Sequence, residues 1–155
     1  MARSIERPGS LCIVRHLRVP IVLAAVALFG ILPSSLGART QPVLAGPWSL
    51  GQAGYGHVMP STIFNGGDPT GLVKQIEWLA WGGPRAVGVG VGFYVGPDQI
   101  TADATRQAAV VVLFKLGSCR GRRAYDAAEW YFPGEGEHFS TRRYIDACTG
   151  RYFNQ

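Results

Sequence analysis

The chain has 155 residues, of which 47% are hydrophobic and 16% charged, and its formal net charge is +5. Much of that charge lies in the first 18 residues, which hold four Arg and one Glu. The residues from Arg39 onward hold eleven basic and nine acidic side chains, a net charge of +2. Charge alone therefore gives no basis for a nucleic-acid-binding function, and none is predicted.

Residues 1–38 have the order of a secretory signal peptide. Four arginines precede an apolar run at residues 19–32, and small residues follow at positions 33–38. A membrane-spanning helix needs about 20 consecutive apolar residues, so the shorter run favours cleavage, with Ala38 the best position before the cut. The alternative is a membrane anchor formed by residues 19–32. Export excludes most nucleotide, RNA and metabolic functions.

Two cysteines, Cys119 and Cys148, lie beyond the signal, whereas Cys12 lies within it. An even number in an oxidising compartment predicts one disulfide. Such a bond would close a loop of about 30 residues and stabilise the domain by roughly 3 to 4 kcal/mol. A metal site is the competing interpretation, but neither cysteine belongs to a CxxC or CxxH spacing.

The segment 39–54 is rich in Gly, Pro, Ala and Gln and is expected to be a flexible lead into a single domain over residues 55–155. Asn65-Gly66-Gly67 and Asp68-Pro69 predict a structured loop before the first clear strand.

After this loop the pattern is that of β-strands. Strands are predicted over residues 72–81, 85–95, 108–116 and 123–132, with one or two more within 55–64, while 139–148 fits either a helical turn or a last strand. No long amphipathic helix interrupts these strands, and Gly and Pro turns separate them. The chain is therefore predicted to be all-β, a small antiparallel β-sandwich or barrel with one disulfide.

Two of the strands have a simple period of two. Residues 72, 74, 76, 78 and 80 are expected on one face and residues 73, 75, 77, 79 and 81 on the other. In the strand 85–95, valines alternate with glycines at positions 88, 90 and 92. The glycines leave a trough that aromatic rings of a neighbouring strand commonly cover, and Trp78 or Trp81 is the expected cover.

The segment from Ile76 to Gly90 contains the pattern WxxWGGxxAxGxG. It resembles a segment of small, uncharacterised secreted proteins of high-GC Gram-positive bacteria. The later segment 125–133 and the two cysteines fit the same resemblance. The resemblance implies export and a β fold, and it implies no catalytic residue.

Glu77 and Glu129 each precede a tryptophan and are a candidate carboxylate pair for an exported, glycosidase-like hydrolase. Such enzymes use one acid to donate a proton and the other as nucleophile or base. We favour the interpretation that both glutamates are strand residues that are solvated or ion-paired. No GxSxG nucleophile motif is present.

Arginines flank both cysteines, so a disulfide is expected to gather them into an anion-binding patch. The candidate residues are Arg120, Arg122, Arg123, Arg142 and Arg143, with Arg151 beside them. Arginine binds phosphate and carboxylate groups bidentately, which makes anionic polymers of the cell envelope candidate ligands. Neutralisation of the arginines by five nearby acids is the alternative, and it is slightly favoured because the acids nearly equal the arginines in number. These acids are Asp126, Glu129, Glu135, Glu137 and Asp146.

The sequence contains two further clusters of candidate ligand-binding residues. Trp81, Tyr94, Trp130 and Tyr131 are candidates for a glycan-binding aromatic face, although large aromatics in a small domain are more often core residues. Glu135, Glu137 and His138 could contribute to a cation site, but a polar loop is favoured because His57 is the only other histidine beyond the signal. No metal or cofactor is predicted.

These features together predict a non-enzymatic exported β domain that binds or interacts at the cell envelope or in the medium, with the hydrolase as the alternative.

Export is tested by the intact mass of the protein recovered from the culture medium and from membranes. We expect a soluble species that begins near Arg39 and is two hydrogens lighter than its reduced form. Full-length protein confined to the membrane fraction would contradict cleavage and support the anchor.

Overall fold

The structure is a computed structural model and describes residues 40–154, so the expected signal peptide lies outside the described residues. The described part is all-β, as predicted, with three single 3-10 turns as its helical elements. Its strands are β1 (Val43–Leu44), β2 (Thr62–Phe64), β3 (Leu72–Ala80), β4 (Ala86–Tyr94), β5 (Thr105–Cys119), β6 (Arg122–Tyr131), β7 (Arg143–Asp146) and β8 (Tyr152–Asn154). Within this part of the chain, no helix is long and apolar enough to cross a membrane.

The strands form one sheet in which β2 to β8 follow each other in sequence order and every neighbouring pair is antiparallel. β1 pairs with β6 in parallel, beside the tip of the β5–β6 hairpin. The sheet curls far enough for Asn65, just after β2, to donate a hydrogen bond of 3.4 Å to the hydroxyl of Tyr152 on β8. The antiparallel, curled sheet confirms the predicted fold class.

The predicted strands match β3 to β6, with β5 extending further at both ends than the apolar run indicates. The ambiguous segment 139–148 contains strand β7, and a turn follows it.

The alternation predicted for β3 is wrong beyond Gln75. Val73 and Ile76 are both buried, although strict alternation places them on opposite faces. Gln75 has a φ of 55°, and the register against β4 shifts between Lys74 and Glu77. This extra residue is a β-bulge, which moves Ile76 and Trp78 to the face that Val73 occupies. A second register shift follows between Trp78 and Ala80.

The glycine face of β4 points into the core, and side chains of β3 cover it. A Cβ on Gly88 would lie 2.8 Å from Ile76 Cγ2 and 3.0 Å from Trp78 Cε3. A Cβ on Gly90 would lie 2.7 Å from the carbonyl oxygen of Lys74. The expected cover by Trp78 is confirmed, whereas Trp81 packs edge-on against Trp78 with ring centroids 4.6 Å apart.

Residues that precede β2 in the chain fill part of the interior of the curled sheet. Val43, Leu44 and Ala45 are buried, and Tyr55 is 4% exposed. The expectation of a flexible lead over residues 39–54 therefore does not hold for residues 43–45, which pair with β6 and complete the core. The sequence does not predict that residues 43–45 pair with β6, because this apolar segment is very short and is flanked by Gly and Pro.

A second, smaller cluster packs on the outer face of the sheet. Val112, Phe114 and Ala127 are buried there beneath Phe139 and Tyr144. The chain from 133 to 142 thus covers part of the outer face, which gives β6 buried residues on both sides.

The predicted disulfide joins Cys119, at the end of β5, to Cys148 in the turn after β7, with Cα atoms 5.8 Å apart. It ties the β5–β6 hairpin to the C-terminal strands.

We expect Gly90→Ala to lower the free energy of unfolding by about 1 to 3 kcal/mol, because the new methyl group meets a backbone oxygen that has little freedom to move. Chemical denaturation of the oxidised protein measures this change. Gly83→Ala is the matched control, since its Cβ would lie at an ordinary 3.8 Å from the oxygen of Arg85. Equal stability of the two variants would contradict the close approach at β4.

Candidate functional site

Three of the predicted arginines lie together at the tip of the β5–β6 hairpin. The turn consists of Arg120 and Gly121, whose φ angles of 51° and 77° are those of a two-residue hairpin turn. Arg120 and Arg122 are exposed, and Arg123 is partly buried. The turn therefore presents three guanidinium groups within four residues.

Arg123 is held by backbone carbonyl groups. Its Nη1 donates to the oxygen of Thr40 and its Nη2 to the oxygen of Gly82, both at 3.4 Å. Arg123 and Gln41 both line each of two cavities, whose volumes are about 450 and 340 Å³. We call the combined depression the arginine groove; it is lined by Gln41, Pro42, Met59, Trp81, Arg122 and Arg123.

The floor of the groove is fixed to the core. The hydroxyl of Tyr125 accepts a hydrogen bond from the amide of Gly82 and donates one to the oxygen of Gly83, both at 2.9 Å. Burial raises the pKa of Tyr125, so the neutral hydroxyl that makes both bonds is favoured. Trp81 packs edge-on against Tyr125 and donates its indole N–H to the oxygen of Pro42 at 3.1 Å.

Within the part of the chain that the structure describes, no acidic side chain forms an ion pair with these three arginines. Among residues 40–154 both ion pairs use Arg143, which contacts Glu129 at 3.2 Å and Glu137 at 3.6 Å. The guanidinium groups of the hairpin therefore keep their charge available to a ligand.

The expected gathering of all five candidate arginines is wrong. Arg142 and Arg143 stand at the start of β7, and Ile145 of that strand pairs with Ala128. Arg143 is thus level with the far end of β6, about seven residues or roughly 20 Å along the strand from Arg123. The disulfide brings Cys148 to the hairpin, but the extended chain before Cys148 carries these arginines away from it.

The four candidate aromatics do not form one face. Trp81 lines the arginine groove, and Tyr94 packs against Phe132 with ring centroids 5.3 Å apart. Trp130 and Tyr131 are consecutive on β6 and therefore point to opposite sides of the sheet. Trp130 packs on the main core, and Tyr131 packs on the outer cluster.

The two candidate carboxylates are far apart. Glu77 pairs with Val89 on β4, and Glu129 pairs with Val112 on β5. They lie three strand steps apart, about 14 Å at 4.8 Å per step, which exceeds the separation used by glycosidases.

Glu129 is 3% exposed and forms an ion pair with the partly exposed Arg143, rather than half of a catalytic dyad. Its Oε2 accepts a hydrogen bond from the amide of Ser140 at 2.9 Å, and its Oε1 accepts one from Nε of Arg143. Burial raises the pKa of Glu129, and these two contacts oppose that effect.

The acidic loop after β6 is used structurally. Glu135 accepts a hydrogen bond from Gln107, and Glu137 accepts one from the amide of Phe132. In the described residues, the only His, Cys, Asp and Glu side chains grouped closely enough for a metal ion are Cys119, Asp126 and Cys148. Both sulfur atoms of that group are in the disulfide.

Asp126 is a residue that sequence reasoning missed. Its carboxylate lies within 4.8 Å of both disulfide sulfurs, and its Oδ1 is buried without a hydrogen-bond partner. Burial, together with the charge of Asp146, raises the pKa of Asp126. No pattern in the sequence distinguishes this aspartate, because its surroundings come from three separate strands and a turn.

Comparisons with known protein families, with curated proteins and with solved structures returned no match to this chain.

Asp126 gives the protein a specific pH dependence. Because its pKa is raised above 3.8 in the folded state, the folded protein binds this proton more tightly than the unfolded chain. The stabilisation is complete below about pH 3.8 and is lost as the pH rises through the folded-state pKa. We expect Asp126→Asn to flatten this fall and to raise the free energy of unfolding at pH 7 by about 1 kcal/mol.

Denaturation curves recorded between pH 3 and pH 8 measure this effect. Asp98→Asn, at an exposed position, is the matched control and should follow the parent protein. Coincident curves for Asp126→Asn and the parent would contradict the account.

Proposed function

We propose that the protein is an exported, non-enzymatic binding module that holds anionic polymers of the cell envelope in the arginine groove. The observation that carries this proposal is the set of three hairpin arginines, which form no ion pair among residues 40–154. Two of them, Arg122 and Arg123, line an open groove.

The chemistry of the groove suits phosphate or carboxylate groups. A guanidinium group binds either anion through two parallel N–H donors. Arg123 is already oriented by Thr40 and Gly82, so little side-chain entropy is lost when a ligand binds. Arg120 and Arg122 extend the positive surface along the hairpin tip.

The shape of the groove suits a polymer. Two cavities adjoin along the groove, and apolar surface accompanies the charges. Val58 and Met59 are 41% and 46% exposed, and Trp81 lies beside Arg123. A chain of charged sugars offers both the anions that arginine binds and the ring faces that pack against such side chains.

Export is part of the proposal and has separate support. The order of residues 1–38 is that of a signal peptide. Disulfides persist in oxidising compartments, and the Cys119–Cys148 bond agrees with an extracellular location. The resemblance to small secreted proteins points the same way. The hydrolase has less support, because the two carboxylates on which it depends lie on strands separated by β4 and β5.

Charge reversal at the hairpin tests the function. We expect the parent protein to be retained on immobilised alginate or polyphosphate and to elute earlier as salt increases. The double variant Arg120→Glu/Arg122→Glu should bind at least about tenfold more weakly, a loss of about 1.4 kcal/mol or more. Both residues are exposed, so the fold should persist.

The matched control is Arg106→Glu/Arg142→Glu, which makes the same change in net charge at exposed positions away from the groove. It should be retained nearly as strongly as the parent. If both double variants bind equally weakly, the interaction depends on net charge and not on the groove, which would contradict the proposal. If the parent protein is retained on neither polymer, the proposal is also wrong.

A further inference from the structure

A further cavity lies at the far end of β6, where β6 and β7 separate. The two strands pair at only two positions, Ala127 with Asp146 and Ala128 with Ile145. Beyond them, β7 pairs with β8 alone. The gap is a cleft of about 270 Å³, which we call the β6–β7 cleft; its lining includes Glu129, Trp130, Arg143, Tyr144, Tyr152 and Asn154.

The aromatic side chains of the cleft are held before any ligand arrives. Tyr144 stacks on Phe153 with ring centroids 4.6 Å apart and planes 8° from parallel. Lys115 Nζ lies 3.8 Å from the centroid of Tyr144, so this ring is fixed as a wall. Trp130 packs against the core, and Tyr152 is 68% exposed at the mouth. Tyr152 therefore offers an accessible aromatic surface.

The polar groups of the cleft both donate and accept. Glu129 is 3% exposed and uses its oxygens for Arg143 and Ser140, so it positions Arg143 and does not itself meet a ligand. Arg143 uses Nε for Glu129 and Nη1 for Glu137, which leaves the N–H groups of Nη2. Asn154 adds an amide that can do both.

The charges of the cleft differ from those of the arginine groove. One guanidinium group contacts two carboxylates, so the positive charge of Arg143 is already compensated. An anion gains little here, whereas a neutral ligand with several hydroxyl groups can use the donors and acceptors together.

We propose that the β6–β7 cleft binds a neutral sugar residue at the end of a glycan. A pyranose ring combines an apolar face, which packs against an aromatic side chain, with an edge of hydroxyl groups. The volume is at the lower limit for ligand sites, so it accommodates about one ring rather than a long chain. This site is separate from the arginine groove and does not depend on the function proposed for it.

Calorimetric titration of the full, disulfide-intact chain with chitotriose, maltotriose and mannotriose tests the proposal. We expect saturable binding of at least one trisaccharide. Tyr152→Ala and Asn154→Ala should each weaken that binding about tenfold. Leu79→Ala is the matched control, since Leu79 is 71% exposed and lies outside the cleft, and it should leave the affinity unchanged.

Two results would overturn the inference: no saturable binding of any of the three sugars by the parent protein, or unchanged affinity in Tyr152→Ala. Thermal midpoints of the variants show whether the fold is retained, and Asn154→Ala provides a second reading if Tyr152→Ala is unstable. Arg120→Glu/Arg122→Glu should keep its trisaccharide affinity. If this variant loses retention on the anionic polymers but still binds the trisaccharide, the result tests the arginine groove and leaves the β6–β7 cleft unaffected.

Discussion

The close approach of β3 side chains to the glycine face of β4 is the constraint on which the rest of the structure depends. Ile76 and Trp78 occupy the space that side chains at Gly88 and Gly90 would fill. Trp78 then supports Trp81 through an edge-on contact of 4.6 Å. Trp81 lines the arginine groove, so the shape of the groove depends on this contact.

The same chain of contacts reaches the arginine groove. Trp81 packs on Tyr125, whose hydroxyl fixes the backbone of Gly82 and Gly83. The oxygen of Gly82 in turn accepts a hydrogen bond from Arg123. The alternation of valine and glycine in β4 thus helps to fix the position of the Arg123 guanidinium group.

The sequence predicts those features of the fold and of the arginine groove that arise from residues close together in the chain, and it does not predict those that depend on distant pairing. The strict period of β4 predicts its strand and its glycine face, and the apolar run of β5 predicts a central strand. The bulge at Gln75 is not predictable, because the sequence around it alternates acceptably in either register. The burial of residues 43–45 depends on pairing with β6, about 80 residues away, and short apolar segments carry no such information. The separation of Arg123 from Arg143 has the same origin, since it follows from the direction and register of β7.

The direct test of the central claim is a residue-resolved map of binding by heteronuclear NMR, with a short oligomer of uronic acids added to the oxidised protein. We expect shifts at the indole N–H of Trp81, at the amide of Gly82 and at the side-chain resonances of Arg122 and Arg123, with the far end of β6 unaffected. Shifts confined to residues outside the arginine groove, or no shifts at all, would contradict it.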